Sequence, residues 1–301
     1  MLSVPYVHHV TLCLLVVDSA VPSLSTRCSS YLALYLLFRF YCFVIMPYIT
    51  PQSIKFSFLT VSIWWFVFSI PLFLNVSEFK QDKIKKKNIK IREATVDGFK
   101  QLKTTFHKIK KLRMVLLFLA AYWLYIDGVD TIVRMAVDYG MSLGFNSSDL
   151  ITALLITQFV GFPAAIAFGY LAHYIGAKQG ILIAIIVYFL TTLWASQMDT
   201  VSEFYILAII IGLVQGGVQA LSRSFYAGII PKNQSAEFFG FYNMLGKFAA
   251  VLGPVMIGVV SVLTQSPRAS ILSISILFIA GGVLLYYVNE EKAKIMLAEY
   301  N

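Results

Sequence analysis

Long apolar runs separated by short polar turns form the dominant pattern of this sequence. They occur at 31–49, 56–76, 114–141, 150–172, 180–196, 203–222, 237–261 and 270–288. Each run is long enough, or nearly so, to cross the hydrocarbon core of a bilayer as a helix, which takes about 20 apolar residues. The pattern therefore predicts an all-α transmembrane bundle of about eight spans, two before and six after a polar segment at 80–113.

Composition supports a membrane protein and argues against several other classes. Of the 301 residues, 58% are hydrophobic and 13% are charged, and the mean hydropathy is +0.76. A soluble domain needs less apolar surface than this for one core. The sequence contains no nucleophile and base arrangement, no P-loop and no glycine-rich phosphate cradle. We therefore expect neither an enzyme nor an ATP-driven protein, and no cofactor. The three cysteines lack the spacing of a metal site.

The net charge of +9 is concentrated in the segment 80–113, which contains 13 Lys or Arg residues and only three acidic residues. Such an excess marks the cytoplasmic side of a membrane, so two and six crossings place both termini inside as well. The charge gives no reason to expect nucleic acid as a partner. Apolar residues among the charges leave two interpretations open, a helix lying on the anionic inner leaflet or a solvated connector. The ordinary behaviour of charge runs favours the connector.

The span at 114–141 carries Asp127, Asp130, Arg134 and Asp138 on one helical face, within an arc of about 80°. Arg134 is four residues from Asp130 and from Asp138, so it can pair with either. One interpretation is a ladder of ion pairs that fixes helix packing. The other is a substrate or proton pathway, which charges inside a membrane usually mark. Asp127 is the candidate proton-coupling or amine-binding carboxylate, because it is the deepest and has no Arg one turn away.

Two glutamines occur in the middle of the span at 203–222. Gln215 and Gln219 lie one turn apart, and each amide needs partners at both ends. A water-filled cavity supplies such partners, so we expect both side chains to line one. Gly212 and Gly216 form a GxxxG pair in the same span, which indicates close packing against another helix.

The span at 237–261 contains Asn243 and Lys247 one turn apart. Lys247 is too far from the inner end of the span to reach water easily. We therefore expect it to meet the carboxylates of Asp127 or Asp130, either as a packing ion pair or as a gate or clamp for a substrate carboxylate. Pro254 follows and predicts a kink in this helix.

The turn GYLAHYIGAK at 169–178 combines small residues with a lysine, which permits close approach of the two flanking helices. It resembles the cytoplasmic-loop signature of the major facilitator superfamily, and the matching residues are Gly169, Leu171, Ala172, Gly176 and Lys178. His173 and Tyr174 stand where that signature usually has an acidic residue and an arginine.

Two longer blocks narrow the resemblance: YIDGVDTIVRMAVDYG at 125–140 and IGLVQGGVQALSRSFYAGIIPKNQSAEFFGFYNMLGKFAAVLGP at 211–254. They resemble the branch of the superfamily that includes the fungal vacuolar amino-acid effluxer linked to autophagy and its bacterial relatives. The resemblance implies secondary-active transport of small organic solutes by alternating access, with amino-acid efflux and proton coupling as finer expectations. The partners would be the solute and the lipid bilayer, in the cell membrane of a bacterium or the vacuolar or endomembrane of a eukaryote.

The same resemblance divides the chain into five parts. Residues 1–30 are a lead-in of unexplained role, 31–79 the last two helices of an N-terminal half, 80–113 the basic cytoplasmic central loop, 114–288 a C-terminal six-helix half, and 289–301 a cytoplasmic tail. Four helices of the N-terminal half are then expected to lie outside these 301 residues. A hypothesis of another class is a truncated, transport-inactive membrane protein whose basic loop binds lipid or a partner. No oligomeric state is predicted.

Overall fold

The computed structural model describes residues 91–300 continuously, together with the isolated helical positions 59, 62, 63, 66 and 70. The lead-in at 1–30 and the predicted span at 31–49 lie outside the described residues, as does the span at 56–76 apart from those five positions. Residues 98–300 belong to one compact unit, and the packing described below is that of this unit.

No strand occurs between residues 91 and 300, where helices follow one another through short turns. In chain order they are α1 (Ile91–Lys111), α2 (Arg113–Ser142), α3 (Ser147–Ile175), α4 (Ala177–Ala195), α5 (Val201–Ile229), a 3-10 turn (Lys232–Gln234), α6 (Ser235–Phe248), α7 (Leu252–Thr264), α8 (Pro267–Ser273), α9 (Ser275–Tyr287) and α10 (Glu290–Tyr300).

Six helical segments in the described part of the chain are long and apolar enough to cross a membrane. They are α2, α3, α4, α5, the pair α6 and α7 (Lys232–Thr264), and the pair α8 and α9 (Pro267–Tyr287). These match the six spans predicted after the basic segment, so the prediction of an all-α membrane bundle is confirmed. Most spans extend beyond the apolar run because polar end residues continue the helix. At the start of α5, for example, Thr200 and Glu203 form a capping box.

The second part of the basic segment is α1, an amphipathic helix packed on the bundle. Ile109 is fully buried, and the ammonium nitrogen of Lys108 lies 2.9 Å from a carboxylate oxygen of Glu237 at the start of α6. Lys110 is exposed on the outer side. The charge run alone favoured a solvated connector, whereas the structure has a helix here. Apolar residues recur in this segment at helical spacing, which explains the helix.

Small residues bring α3 and α5 into close contact. A Cβ atom on Gly212 would lie 2.8 Å from the backbone oxygen of Thr157, and one on Gly216 would lie 2.8 Å from the Cβ of Ala165. The hydroxyl of Thr157 also donates to the backbone oxygen of Ala208 across this contact, at 3.1 Å. The close packing predicted from the GxxxG pair is confirmed.

The fifth of these six spans, Lys232–Thr264, is interrupted in its middle. α6 ends at Phe248 and α7 begins at Leu252, and residues 249–251 between them form a turn. Pro254 lies in the first turn of α7, where its missing N–H costs nothing. The kink predicted at Pro254 is therefore a break, and it leaves the first N–H groups of α7 in need of acceptors from elsewhere.

Candidate functional site

The charged face of α2 passes from buried to exposed along the helix. Asp127 is 0% exposed, Asp130 is half-buried, and Arg134 and Asp138 are exposed. A guanidinium nitrogen of Arg134 lies 4.0 Å from a carboxylate oxygen of Asp130, so Asp130 is the acidic partner that this structure brings to Arg134. The four residues share one face, as the spacing required, but they occupy different environments.

Asp127 contacts the start of α7. Its Oδ2 accepts a hydrogen bond from the backbone N–H of Gly253 at 2.9 Å. The positive end of a helix dipole favours a carboxylate there. In the described part of the chain, Asp127 Oδ1 and the hydroxyl of Thr131, one turn along α2, are buried without hydrogen-bond partners.

Asn243 and Lys247 lie on an exposed face of α6. Among the described residues Lys247 forms no ion pair with a carboxylate, so the expected pairing with Asp127 or Asp130 is absent from this conformation. α6 packs on α2 at this level, since a Cβ on Gly246 would lie 3.0 Å from the hydroxyl oxygen of Tyr122.

The glutamines of α5 lie beside a packed polar contact. Gln219 is 9% exposed and Gln215 is half-buried. The hydroxyl of Ser222 donates to the backbone oxygen of Val218 at 2.5 Å, so the hydroxyl of Tyr125 donates to Ser222 Oγ, at 2.6 Å. Ser222 thus fastens α5 to α2, while the cavity lining proposed for the two glutamines stays a prediction.

The loop signature joins three helices. Gly176 lies between α3 and α4 with a φ of +86°, a backbone conformation that favours glycine. Two residues on, the ammonium group of Lys178 donates to the backbone oxygens of Tyr286 at 2.9 Å and Val288 at 2.6 Å. These carbonyls end α9, so Lys178 is a cap for the last span. Gly169 has open space around it.

Lys178→Met is expected to lower the thermal unfolding temperature in detergent by about 5 °C. Two charge-assisted hydrogen bonds to backbone carbonyls are lost, which costs about 2 kcal/mol. Lys178→Arg should retain part of that stability, because a guanidinium can still donate. Lys292→Met removes an exposed lysine of α10 and serves as the control. Equal unfolding temperatures for the Lys178 and Lys292 methionine variants would rule out the cap.

Sequence reasoning missed the residues that join α6 and α7 to α2. Thr131 and Gly253 meet so closely that a Cβ on Gly253 would collide with the Thr131 side chain. Tyr122 and Tyr242 stack with ring centroids 4.1 Å apart, and Tyr226 stacks on Tyr242 at 4.9 Å. The available signals were a Gly-Pro pair inside an apolar run and a threonine one turn after Asp127.

A separate cavity of about 60 Å³ lies among α2, α3, α4, α5 and α8. Apolar side chains and the three threonines Thr157, Thr191 and Thr192 line it, and none of the predicted polar residues does. It therefore has no charge with which to bind an ionic solute. No cluster of three or more His, Cys, Asp or Glu that could hold a metal ion occurs among the described residues.

Comparison with known proteins places this arrangement in a family. The family model described as "Vacuole effluxer Atg22 like" matches residues 19–297. The protein named "Uncharacterized MFS-type transporter YxiO" of Bacillus subtilis is 38% identical over 85% of this chain and 58% of its own length. Autophagy-related protein 22-1 of Aspergillus niger is 26% identical over 83% of this chain and 44% of its own length. The chain thus spans about half the length of these curated relatives, and it belongs to the Atg22-like branch of the major facilitator superfamily.

Proposed function

We propose that this multi-pass membrane protein takes part in secondary-active transport of small organic solutes, with amino acids as the substrate class and protons as the coupling ion. The observation that carries the proposal is the pair of opposite charges on neighbouring helices, Asp130 on α2 and Lys247 on α6. The two helices pack against each other, and the two side chains form no ion pair with one another. The family's description as vacuole effluxers supports the direction of efflux.

Such a pair of charges suits a zwitterion. An amino acid carries an ammonium and a carboxylate on one carbon, so Asp130 can accept from the ammonium while Lys247 donates to the carboxylate. Asn243, one turn from Lys247 and exposed on the same helix, adds an amide that can donate or accept. Gln215 and Gln219 would extend this polar surface along α5.

Asp127 is the proposed proton carrier. It is buried behind the exposed charges, and one of its oxygens has no partner among the described residues. A buried carboxylate with a free oxygen can take a proton without losing its existing hydrogen bond. Arg134, which lies beside Asp130 at 4.0 Å, would compensate the negative charge of the site when substrate is absent.

Orientation and domain assignment complete the proposal. The excess of Lys and Arg in 80–113 supports a cytoplasmic position for α1 and both termini. Residues 114–288 would be the six-helix C-terminal half and 31–79 the end of the N-terminal half. The Lys108–Glu237 ion pair would then lie at the cytoplasmic mouth of the site.

Transport by protein reconstituted in liposomes tests the proposal. With radiolabelled amino acids, Lys247→Met and Asp130→Asn are expected to raise KM about tenfold to a hundredfold, because each removes a charge-assisted contact with the substrate. Asp127→Asn is expected to abolish stimulation by a pH gradient while leaving substrate counterflow, which needs no net proton movement.

Asp138→Asn provides the matched control. Asp138 lies on the same face of α2 but is exposed, so its loss should leave both flux and pH stimulation unchanged. Absence of flux for every amino acid tested would refute the substrate class. Undiminished pH stimulation in Asp127→Asn would refute the proton assignment, even if amino acids are transported.

A further inference from the structure

The interruption of the fifth span places an unsatisfied helix N-terminus inside the bundle. α7 begins at Leu252, after a turn of three residues that follows the end of α6, and no side chain of its own caps it. The first N–H groups of a helix have no partner within that helix, so inside a membrane they need an acceptor from another element.

A residue 126 positions away in sequence supplies that acceptor. Asp127 Oδ2 accepts from the N–H of Gly253 at 2.9 Å. Pro254 has no N–H to offer, so the bond from Gly253 is the one by which Asp127 caps the first turn of α7. The contact is tight, because a Cβ on Gly253 would meet the side chain of Thr131. α7 is therefore held against α2 at one charged point.

We propose that Asp127 is a cap that holds the interruption of the fifth span, so that neutralising its carboxylate frees α7 to change its angle to α6. This inference rests on the proposed function, in which the same carboxylate takes a proton. It adds the step that converts proton binding into helix movement, since a neutral carboxyl attracts the helix N-terminus more weakly than a carboxylate does.

The oxygen of Asp127 that lacks a hydrogen-bond partner marks where the neutralising proton would go. Asp127 Oδ1 and Thr131 Oγ1 lack hydrogen-bond partners in the described part of the chain, while Oδ2 is engaged with Gly253. A proton on Oδ1 would remove the charge and leave the Gly253 hydrogen bond in place but weaker. The cap would loosen rather than break, as a reversible hinge requires.

Among the ionisable groups around this contact, Asp127 is the one that is hydrogen-bonded to the start of α7. On α2 itself the neighbouring charges are Asp130 and Arg134, which lie 4.0 Å apart. From α6 the charged group is Lys247, which is exposed, and α4 contributes the buried Tyr188. The sequence of α7 contains no ionisable side chain, and α9 has none between Ser275 and Leu285.

Hydrogen–deuterium exchange of the purified chain tests the cap without any substrate. We expect the backbone amides of Leu252, Gly253, Val255 and Met256 to lose protection about tenfold in Asp127→Leu, which has no acceptor. Asp127→Asn keeps an acceptor oxygen without the charge, so its protection should lie between Asp127→Leu and wild type. Wild-type protection, corrected for intrinsic exchange, should fall toward that of Asp127→Asn as the pH is lowered.

The controls separate a local cap from general unfolding. Asp138→Asn should match wild type, and amides of α5 should keep their protection in every variant. Unchanged protection of 252–256 in Asp127→Leu, or a loss shared equally with α5, would overturn the cap. Identical protection in Asp127→Asn and wild type at every pH would overturn its dependence on charge. Because the measurement needs no flux, it can succeed while the transport assignment fails, and the reverse.

Discussion

Gly253→Ala is expected to lower the thermal unfolding temperature in detergent by about 10 °C, the effect of overpacking by about 3 kcal/mol. The added Cβ would collide with the hydroxyl of Thr131 and lie 2.7 Å from the Thr131 Cβ. Both groups are on the rigid body of α2, so α7 has to move away. That movement also lengthens the hydrogen bond from Gly253 to Asp127. Size-exclusion chromatography of samples heated to a series of temperatures measures the change in unfolding temperature.

A rescue and a control make this prediction specific to the contact. Thr131→Ala removes the hydroxyl and the methyl group, so the double variant Gly253→Ala with Thr131→Ala should recover about half of the lost stability. The Cβ of residue 131 remains, which prevents full recovery. Gly258 lies in the same helix with nothing near it, so Gly258→Ala should be neutral or slightly stabilising. Equal effects at Gly253 and Gly258 would contradict the contact.

Much of the bundle could be predicted because a membrane makes strong local demands on sequence. A spanning helix needs a long apolar run, so the apolar runs alone were enough to predict the six spans of the described part. Helical spacing likewise placed Asp127, Asp130 and Arg134 on one face of α2. Both inferences use only residues that are neighbours in sequence, and both agree with the structure.

The partners of those residues could not be predicted, because they lie far away in sequence. Asp127 meets Gly253, and Lys178 meets the end of α9, across more than a hundred residues. Helical periodicity also could not predict how deeply each of these residues is buried. The same face of α2 packs against α7 at Asp127 and is exposed at Arg134. A single sequence predicts on which face of its own helix a side chain lies, but not which residue of another helix it contacts.

The same limit explains why Lys247 was expected to meet a carboxylate. Its depth in the span predicts a charged partner, yet the structure leaves it exposed on α6, with no ion pair to a carboxylate among the described residues. An apolar run reveals that a lysine lies inside a span. It does not reveal whether that part of the span faces a neighbour or an open surface.

The contact between α3 and α5 should tolerate even less added volume than the contact of Gly253 in α7 with α2. Gly212→Ala is expected to cost about 3 kcal/mol or more and to reduce the folded fraction after purification sharply. The obstacle is backbone: the new Cβ would lie 2.8 Å from the carbonyl oxygen of Thr157 and 3.2 Å from its Cα. Backbone atoms inside a helix cannot rotate away, so the two helices must separate along their length.

A comparison with Gly180 distinguishes this cause from simple closeness. A Cβ on Gly180 would lie 2.5 Å from a terminal methyl group of Leu221, a shorter distance than at Gly212. Leucine can change rotamer, at a cost of about 1 kcal/mol, so Gly180→Ala should destabilise less than Gly212→Ala despite the shorter contact. Gly228 lies in α5 with open space around it, so Gly228→Ala measures the stability gained from the higher helix propensity of alanine alone. If unfolding temperatures instead followed contact distance, with Gly180→Ala the worse variant, rigid backbone contact would not be what holds α3 to α5.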